Sequence, residues 1–178
     1  MSCGGVHLAM LWIRFDEEDR YSPAPDFCLP SPKAGRTCLS DFRGECSLVL
    51  FFAHGLECRA CLVALENFAR QNDELKDEGA RLIVIFPEPL SRLEQFLATE
   101  PVLDELPHVL LCDENSSIRQ MYAGLMDESL IPPDHAALFV LDSFGAPYAA
   151  LVSRELDDTQ VQAEVLKWLE FIGLQCPE

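Results

Sequence analysis

The sequence predicts one α/β domain, with a central mixed sheet of four to five or more strands flanked by helices. Residues 48–52 and 82–86 are continuous apolar runs of strand length, the pattern of strands buried on both faces of a largely parallel sheet. Between them Leu62, Leu65, Phe68 and Ala69 recur at helical spacing among polar residues. Strand, helix and strand in succession make a βαβ unit with a right-handed crossover. The 178 residues suffice for one full hydrophobic core and fall short of two.

In chain order, residues 1–20 have mixed polarity and no period, which predicts an N-terminal extension ahead of a domain spanning 21–178. Pro23, Pro25, Pro30 and Pro32 fix extended backbone and remove hydrogen-bond donors, so 21–33 reads as a lead-in loop. A short turn at 39–44 precedes the central strand at 48–52. Residues 58–78 read mostly as helix, with Gly79 where a C-cap falls. A second strand at 81–86 stops at Pro87, and helical spacing resumes over 90–98. Residues 109–112 form a third strand, 116–122 a short helix and 137–141 a fourth strand. The segment 142–145 is a hairpin-type turn into 148–152. A closing helix over 159–171 buries Val161, Val165, Leu166 and Leu169, with Ile172 just beyond.

Thirteen basic against thirty acidic side chains give a net charge of −17, which repels nucleic acid and anionic membrane surfaces. No apolar stretch approaches the roughly 20 residues of a membrane helix, and the N-terminus lacks the layout of a secretory leader. The eight cysteines sit in a chain with ample apolar sequence, unlike a small disulfide-stapled domain. A cytoplasmic, mostly reduced protein is therefore expected. In it Cys28, Cys38, Cys46 and Cys112 serve as small buried hydrophobes, with no role assigned to Cys3.

Cys58-Arg59-Ala60-Cys61 carries the chemistry. It lies between the strand at 48–52 and the helix after it, where unpaired N–H groups and the helix dipole favour thiolate over thiol. Two intervening residues let the thiols close a small disulfide. No second CxxC and no histidine pair follows at zinc-finger spacing, so neither a metal nor an organic cofactor is expected. His54, four residues ahead, is a candidate proton acceptor, and Arg59 a candidate source of positive charge.

The ordered series Pro23-Ala24-Pro25-Asp26-Phe27, Leu39-Ser40-Asp41-Phe42-Arg43-Gly44, the strand at 48–52 with its cysteine turn, Leu110-Leu111-Cys112-Asp113, and residues 139–145 resembles the thioredoxin-like redoxins. More narrowly, it resembles the alkyl hydroperoxide reductase/thiol-specific antioxidant (peroxiredoxin) branch. The resemblance covers about 21–172 and implies a thioredoxin-like fold. Against the Pro-x-x-x-Thr/Ser-x-x-Cys signature of peroxiredoxins, Cys61 takes the peroxidatic position, Cys58 stands for the hydroxyl residue and His54 for the proline. The family's arginine ahead of the strand ending at Asp142 falls at about Ala136, so a positive charge has to come from Arg59, Arg119 or Arg154. Against a thioredoxin, Cys58 is the attacking thiol, Glu57 replaces the usual aromatic, and the cis-proline before the strand at Ala137 is missing, Pro132 and Pro133 lying too early. Cys176 near the C-terminus resembles the resolving cysteine that reaches across a two-cysteine peroxiredoxin homodimer.

The resemblance implies a thiol-dependent oxidoreductase performing dithiol–disulfide exchange through Cys58 and Cys61, re-reduced by a thioredoxin-type dithiol donor. Its alternatives are a thiol peroxidase, with Cys61 peroxidatic and Cys58 resolving, and a non-catalytic redoxin-fold sensor or binding module. The substrate is thus a protein disulfide or a peroxide.

Overall fold

The computed structural model describes residues 11–154, 156 and 159–175. Its six-stranded sheet is ordered β1-β8-β7-β4-β5-β6, with β1 Ile13–Arg14, β4 Ser47–Phe52, β5 Ala80–Phe86, β6 Val109–Cys112, β7 Ala136–Leu141 and β8 Pro147–Ser153. β4, β5 and β6 run parallel, while β7, β8 and β1 add antiparallel pairs, so the sheet is mixed as the sequence predicts. β4 is central, pairing Phe52 with Ile85 on one side and with Ala137 on the other. That position explains its unbroken apolar run, because both of its faces are covered.

Alternate residues of β4 enter two cores. Val49 and Phe51 pack with Ala64, Leu65 and Phe68 of α1 (Arg59–Arg70), Leu93 of α3 (Leu90–Thr99), and Val165 and Leu169 of α6 (Thr159–Gln175). Leu48, Leu50 and Phe52 pack on the other face with Tyr122 and Ala123 of α5 (Ser117–Leu125) and with Phe27, Leu39 and Phe42. Each large side chain buried this way contributes about 1.5–3 kcal/mol before entropy is charged against it. Tyr122 lies at the centre of the second core, with ring centroids 5.3 Å from Phe52, 5.2 Å from Phe139 and 6.0 Å from Phe27.

The helix expected over 58–78 divides at Gln71 into α1 and α2 (Asn72–Asp77). Asn72 and Asp73 compete with the backbone for hydrogen bonds, and Asp73 and Glu74 then complement the dipole of a new first turn. The short α4 (Pro101–Asp104) begins on Pro101, which has no N–H to lose there. Ahead of the expected domain start, Ile13 and Arg14 pair with Ala150 and Ala149, and Phe15 is buried.

The lead-in contains more structure than its prolines suggest. Cys28–Ser31 (β2) and Gly35–Cys38 (β3) form a separate two-stranded hairpin that turns on Gly35 at φ 72°. With only two strands, both are edges, and Pro30 fits without breaking a ladder. Cys28 and Cys38 face each other across it with Cα atoms 4.0 Å apart and are joined by a disulfide. This corrects the reading of both as reduced, buried small hydrophobes. They are half-buried partners, and residue spacing alone does not reveal the pairing register that opposes them. Cys46 and Cys112 are free and buried.

Candidate active site

The loop after β4 is held before any cysteine is reached. The Ala53 N–H donates to Ile85 O at 3.0 Å, the Leu56 N–H to Glu88 Oε1 at 2.8 Å and the Cys58 N–H to Gly55 O at 3.2 Å. The backbone of Cys58 is extended (φ −76°, ψ 100°), and its carbonyl accepts the Leu62 N–H at 3.1 Å. Cys58 is therefore the N-cap of α1, and its Sγ accepts the Cys61 N–H at 3.1 Å. A sulfur thus does the work for which helices usually select Ser, Thr, Asp or Asn.

The two thiols differ in environment. Cys61 lies one turn into α1 and is 2% exposed, whereas Cys58 is 9% exposed at the helix mouth. Burial pushes the Cys61 thiol up to about 12, and the interaction with Cys58 adds to the rise. The backbone N–H groups of His54 and Gly55 act in the opposite direction without overcoming burial. The imidazole of His54 and both sulfurs place one ligand-type atom each within 4.8 Å of one another. Burial, then the nearby Arg119 charge, lowers the His54 pKa, so its ring is neutral at neutral pH.

The structure separates the three arginines. Arg59 is exposed on α1, and Arg154 is exposed and pairs with Asp134 at 2.6 Å. Arg119 is buried, with its backbone N–H donating to Asp113 Oδ2 at 2.9 Å. Its Nη2 donates to Pro132 O at 2.7 Å and to His135 O. Nη1 is buried without a hydrogen-bond partner, and the guanidinium charge acts on both Cys61 and His54. Arg119 thus brings a cation from α5 to the segment immediately ahead of β7, where Ala136 replaces the arginine of the resemblance. Only the fold selects it, because 58 residues separate it from Cys61 in sequence.

Glu57, in the place of the usual aromatic, is exposed and paired with Arg92 at 3.1 Å. Among the described residues there is no cis peptide bond, in keeping with the missing proline before Ala137. Cys176 and Cys3 lie outside the described residues. No helix of the described residues is long and apolar enough to cross a membrane.

The mixed sheet with helices on both faces is a thioredoxin-like fold, and the family that the chain matches makes it a thiol-dependent oxidoreductase. The AhpC/TSA family model matches residues 21–146, and the chain belongs to that family. No curated protein matches the sequence. Among solved structures, the peroxidoxin BcpB of Mycobacterium tuberculosis is similar at a TM-score of 0.68 and 20% identity, over 85% of this chain and 96% of that one. A Chlorobium tepidum protein assigned as the thiol:disulfide interchange protein DsbE is similar at 0.64 and 20%, over 83% and 96%. A yeast mitochondrial 1-Cys peroxiredoxin is similar at 0.68 and 18%, over 86% and 76%. At these identities the structural likeness establishes the fold, which peroxidases and disulfide exchangers share.

Proposed function

We propose that Cys58 and Cys61 catalyse thiol–disulfide exchange, with Cys58 attacking and Cys61 resolving. The observation that carries this reading is a difference of degree within a buried pair: Cys58 Sγ sits at the helix mouth, 9% exposed and accepting an N–H, while Cys61 lies one turn deeper at 2%. The Cys58 thiolate attacks one sulfur of a substrate disulfide, and the other substrate sulfur leaves as a thiolate that takes up a proton. The mixed disulfide has neither charge nor S–H at Cys58, which removes two of the influences that hold the Cys61 proton in place. Neutral His54 is the proton acceptor as Cys61 attacks Cys58 Sγ, releasing the second substrate thiol and closing the Cys58–Cys61 disulfide. A thioredoxin-type dithiol donor then reduces it.

The peroxidase reading rests on Arg119 and on the His54 and Gly55 N–H groups that act on Cys61. There the Cys61 thiolate takes one peroxide oxygen to become a sulfenic acid, releasing an alcohol or water, and Cys58 condenses with it to expel water. Cys61→Ser and Cys58→Ser variants, each given a model disulfide and hydrogen peroxide, separate the two readings. Exchange predicts that Cys61→Ser traps a mixed disulfide on Cys58 and that Cys58→Ser does nothing. Peroxide consumption that survives in Cys58→Ser and vanishes in Cys61→Ser overturns the assignment. A homodimer, suggested by the resemblance of Cys176, belongs to the same proposal and is read from the molar mass in solution.

A further inference from the structure

The zinc-finger spacing rule looks for ligands downstream of a CxxC, whereas here the third ligand-type residue lies upstream. His54 closes the strand-to-helix loop back over the thiols, so that His-x-x-x-Cys-x-x-Cys converges in space. Cys58, Cys61 and His54 each contribute one atom, all within 4.8 Å of one another. A tetrahedral zinc ion, with Zn–S of about 2.3 Å and Zn–N of about 2.0 Å, needs sulfurs about 3.8 Å apart and sulfur and nitrogen about 3.5 Å apart. The cluster therefore closes on such an ion with adjustments of at most about 1.3 Å, within reach of rotamer changes.

The charged groups around the site are of both signs, with the Arg119 guanidinium the largest charge influence on His54. Glu88 uses Oε1 on the Leu56 N–H, while its Oε2 is buried without a hydrogen-bond partner, and its charge acts on His54. Asp134 acts on His54 with the same sign, and Arg119 and His135 oppose it. Two thiolates bring −2, which a divalent ion neutralises.

We propose that the reduced protein holds a thiophilic divalent cation of the Zn²⁺ class through Cys58 Sγ, Cys61 Sγ and His54, with one coordination position left to water or an exogenous ligand. Binding exchanges two S–H bonds for two metal–thiolate bonds and releases two protons, with no change in oxidation state. Closure of the Cys58–Cys61 disulfide removes both thiolates and expels the ion. Metal retention is thereby set by the redox state of the pair, whatever disulfide or peroxide the pair reacts with.

The test is an anaerobic titration of the reduced full-length protein with Co²⁺, followed by displacement with Zn²⁺. One equivalent should develop the near-ultraviolet thiolate-to-cobalt band and the intense visible bands of a tetrahedral centre, and Zn²⁺ should bleach them with the release of two protons per ion bound to apo protein. Cys58→Ser and Cys61→Ser should each abolish the signal, and His54→Ala should weaken Co²⁺ binding by about tenfold or more. Wild-type protein oxidised at Cys58–Cys61 should give no band, a control that needs no mutation and so no refolding. Cys46→Ser and Cys112→Ser should leave the titration unchanged. The proposal is overturned if reduced protein gives no charge-transfer band, if the band persists in oxidised protein, or if His54→Ala binds Co²⁺ as wild type does. None of these outcomes bears on disulfide exchange, which is measured separately on metal-free protein.

Discussion

Cys61 should be a very slow nucleophile on its own, and the size of the effect follows from its burial. With the thiol at about 12, the thiolate fraction at pH 7.5 is about 3 × 10⁻⁵, against about 0.1 for an unperturbed thiol near 8.5. That factor of about 3,000 is partly returned, because a more basic thiolate is intrinsically more nucleophilic. A Brønsted slope of about 0.45 over about 3.5 units recovers about 40-fold. Cys61 should thus alkylate about 80-fold more slowly than a free thiol at pH 7.5, before steric exclusion at 2% exposure is added. The perturbation is Cys58→Ser, which removes the interaction with Cys58 but leaves burial, the largest cause of the rise. The assay is iodoacetamide labelling of Cys61 against pH, resolved by peptide mass. The rate should climb about tenfold per pH unit to at least pH 10 without a plateau. A plateau at or below about pH 8 would refute the reasoning. It would mean that the His54 and Gly55 N–H groups together with Arg119 outweigh desolvation, and it would return Cys61 to the peroxidatic role.

His108 is buried, with Nε2 3.2 Å from Leu65 O, and burial lowers its pKa to about 4. The unfolded chain takes up this proton below about 6.5 and the native protein does not, so stability is full above about 6.5 and falls as pH drops, by about 3 kcal/mol at pH 4. Urea melts of His108→Gln should lack this part of the acid slope, and an unchanged slope would remove His108 as its source. Replacing Cys28 and Cys38 together by Ser opens a loop of sequence separation 10 and should cost about 3 kcal/mol in denaturant melts, while leaving the labelling rate of Cys58 unchanged. Tyr122→Phe deletes only the hydroxyl that donates to Pro25 O at 3.0 Å and should cost about 1 kcal/mol. Tyr122→Ala empties the centre of the second core and should cost about 3–5 kcal/mol. Similar costs for the two would contradict the packing role given to the ring.

The doubly buried strands were legible because apolar continuity over 48–52 and 82–86 has few explanations in a chain of this length. The hairpin at 28–38 was not, since four prolines over 23–32 argue locally for irregular backbone, and only pairing across the turn makes Pro30 compatible with a strand. The same non-local pairing hid the Cys28–Cys38 disulfide. At the candidate site, spacing singles out Cys58 and Cys61 and register singles out His54, and the structure brings the three together. Arg119 could be named but not chosen, because its place depends on α5 packing against the segment that precedes β7. Sequence distance carries no information about that contact.

The substitutions that separate this chain from the peroxiredoxin signature are physically linked. The position given to Thr or Ser is the N-cap of α1, which demands a side-chain acceptor for an N–H of the first turn. Cys58 meets that demand with sulfur, so the change keeps the helix start and adds a second thiol beside Cys61. The position given to proline becomes His54, which adds a titratable nitrogen to a loop already fixed by the Glu88 carboxylate and by Ala53 pairing with β5. Loop rigidity therefore no longer depends on a proline ring, and the side chain there is free for proton transfer or metal ligation. Arg119 supplies a buried charge in place of the one lost at Ala136; it spends Nη2 on two carbonyls, its Nη1 has no hydrogen-bond partner, and its charge acts on Cys61. Two of these departures place chemical groups together, since the Cys58 and Cys61 sulfurs and a His54 ring nitrogen lie within 4.8 Å of one another. That placement is what both the proposed disulfide exchange and the proposed metal site draw on.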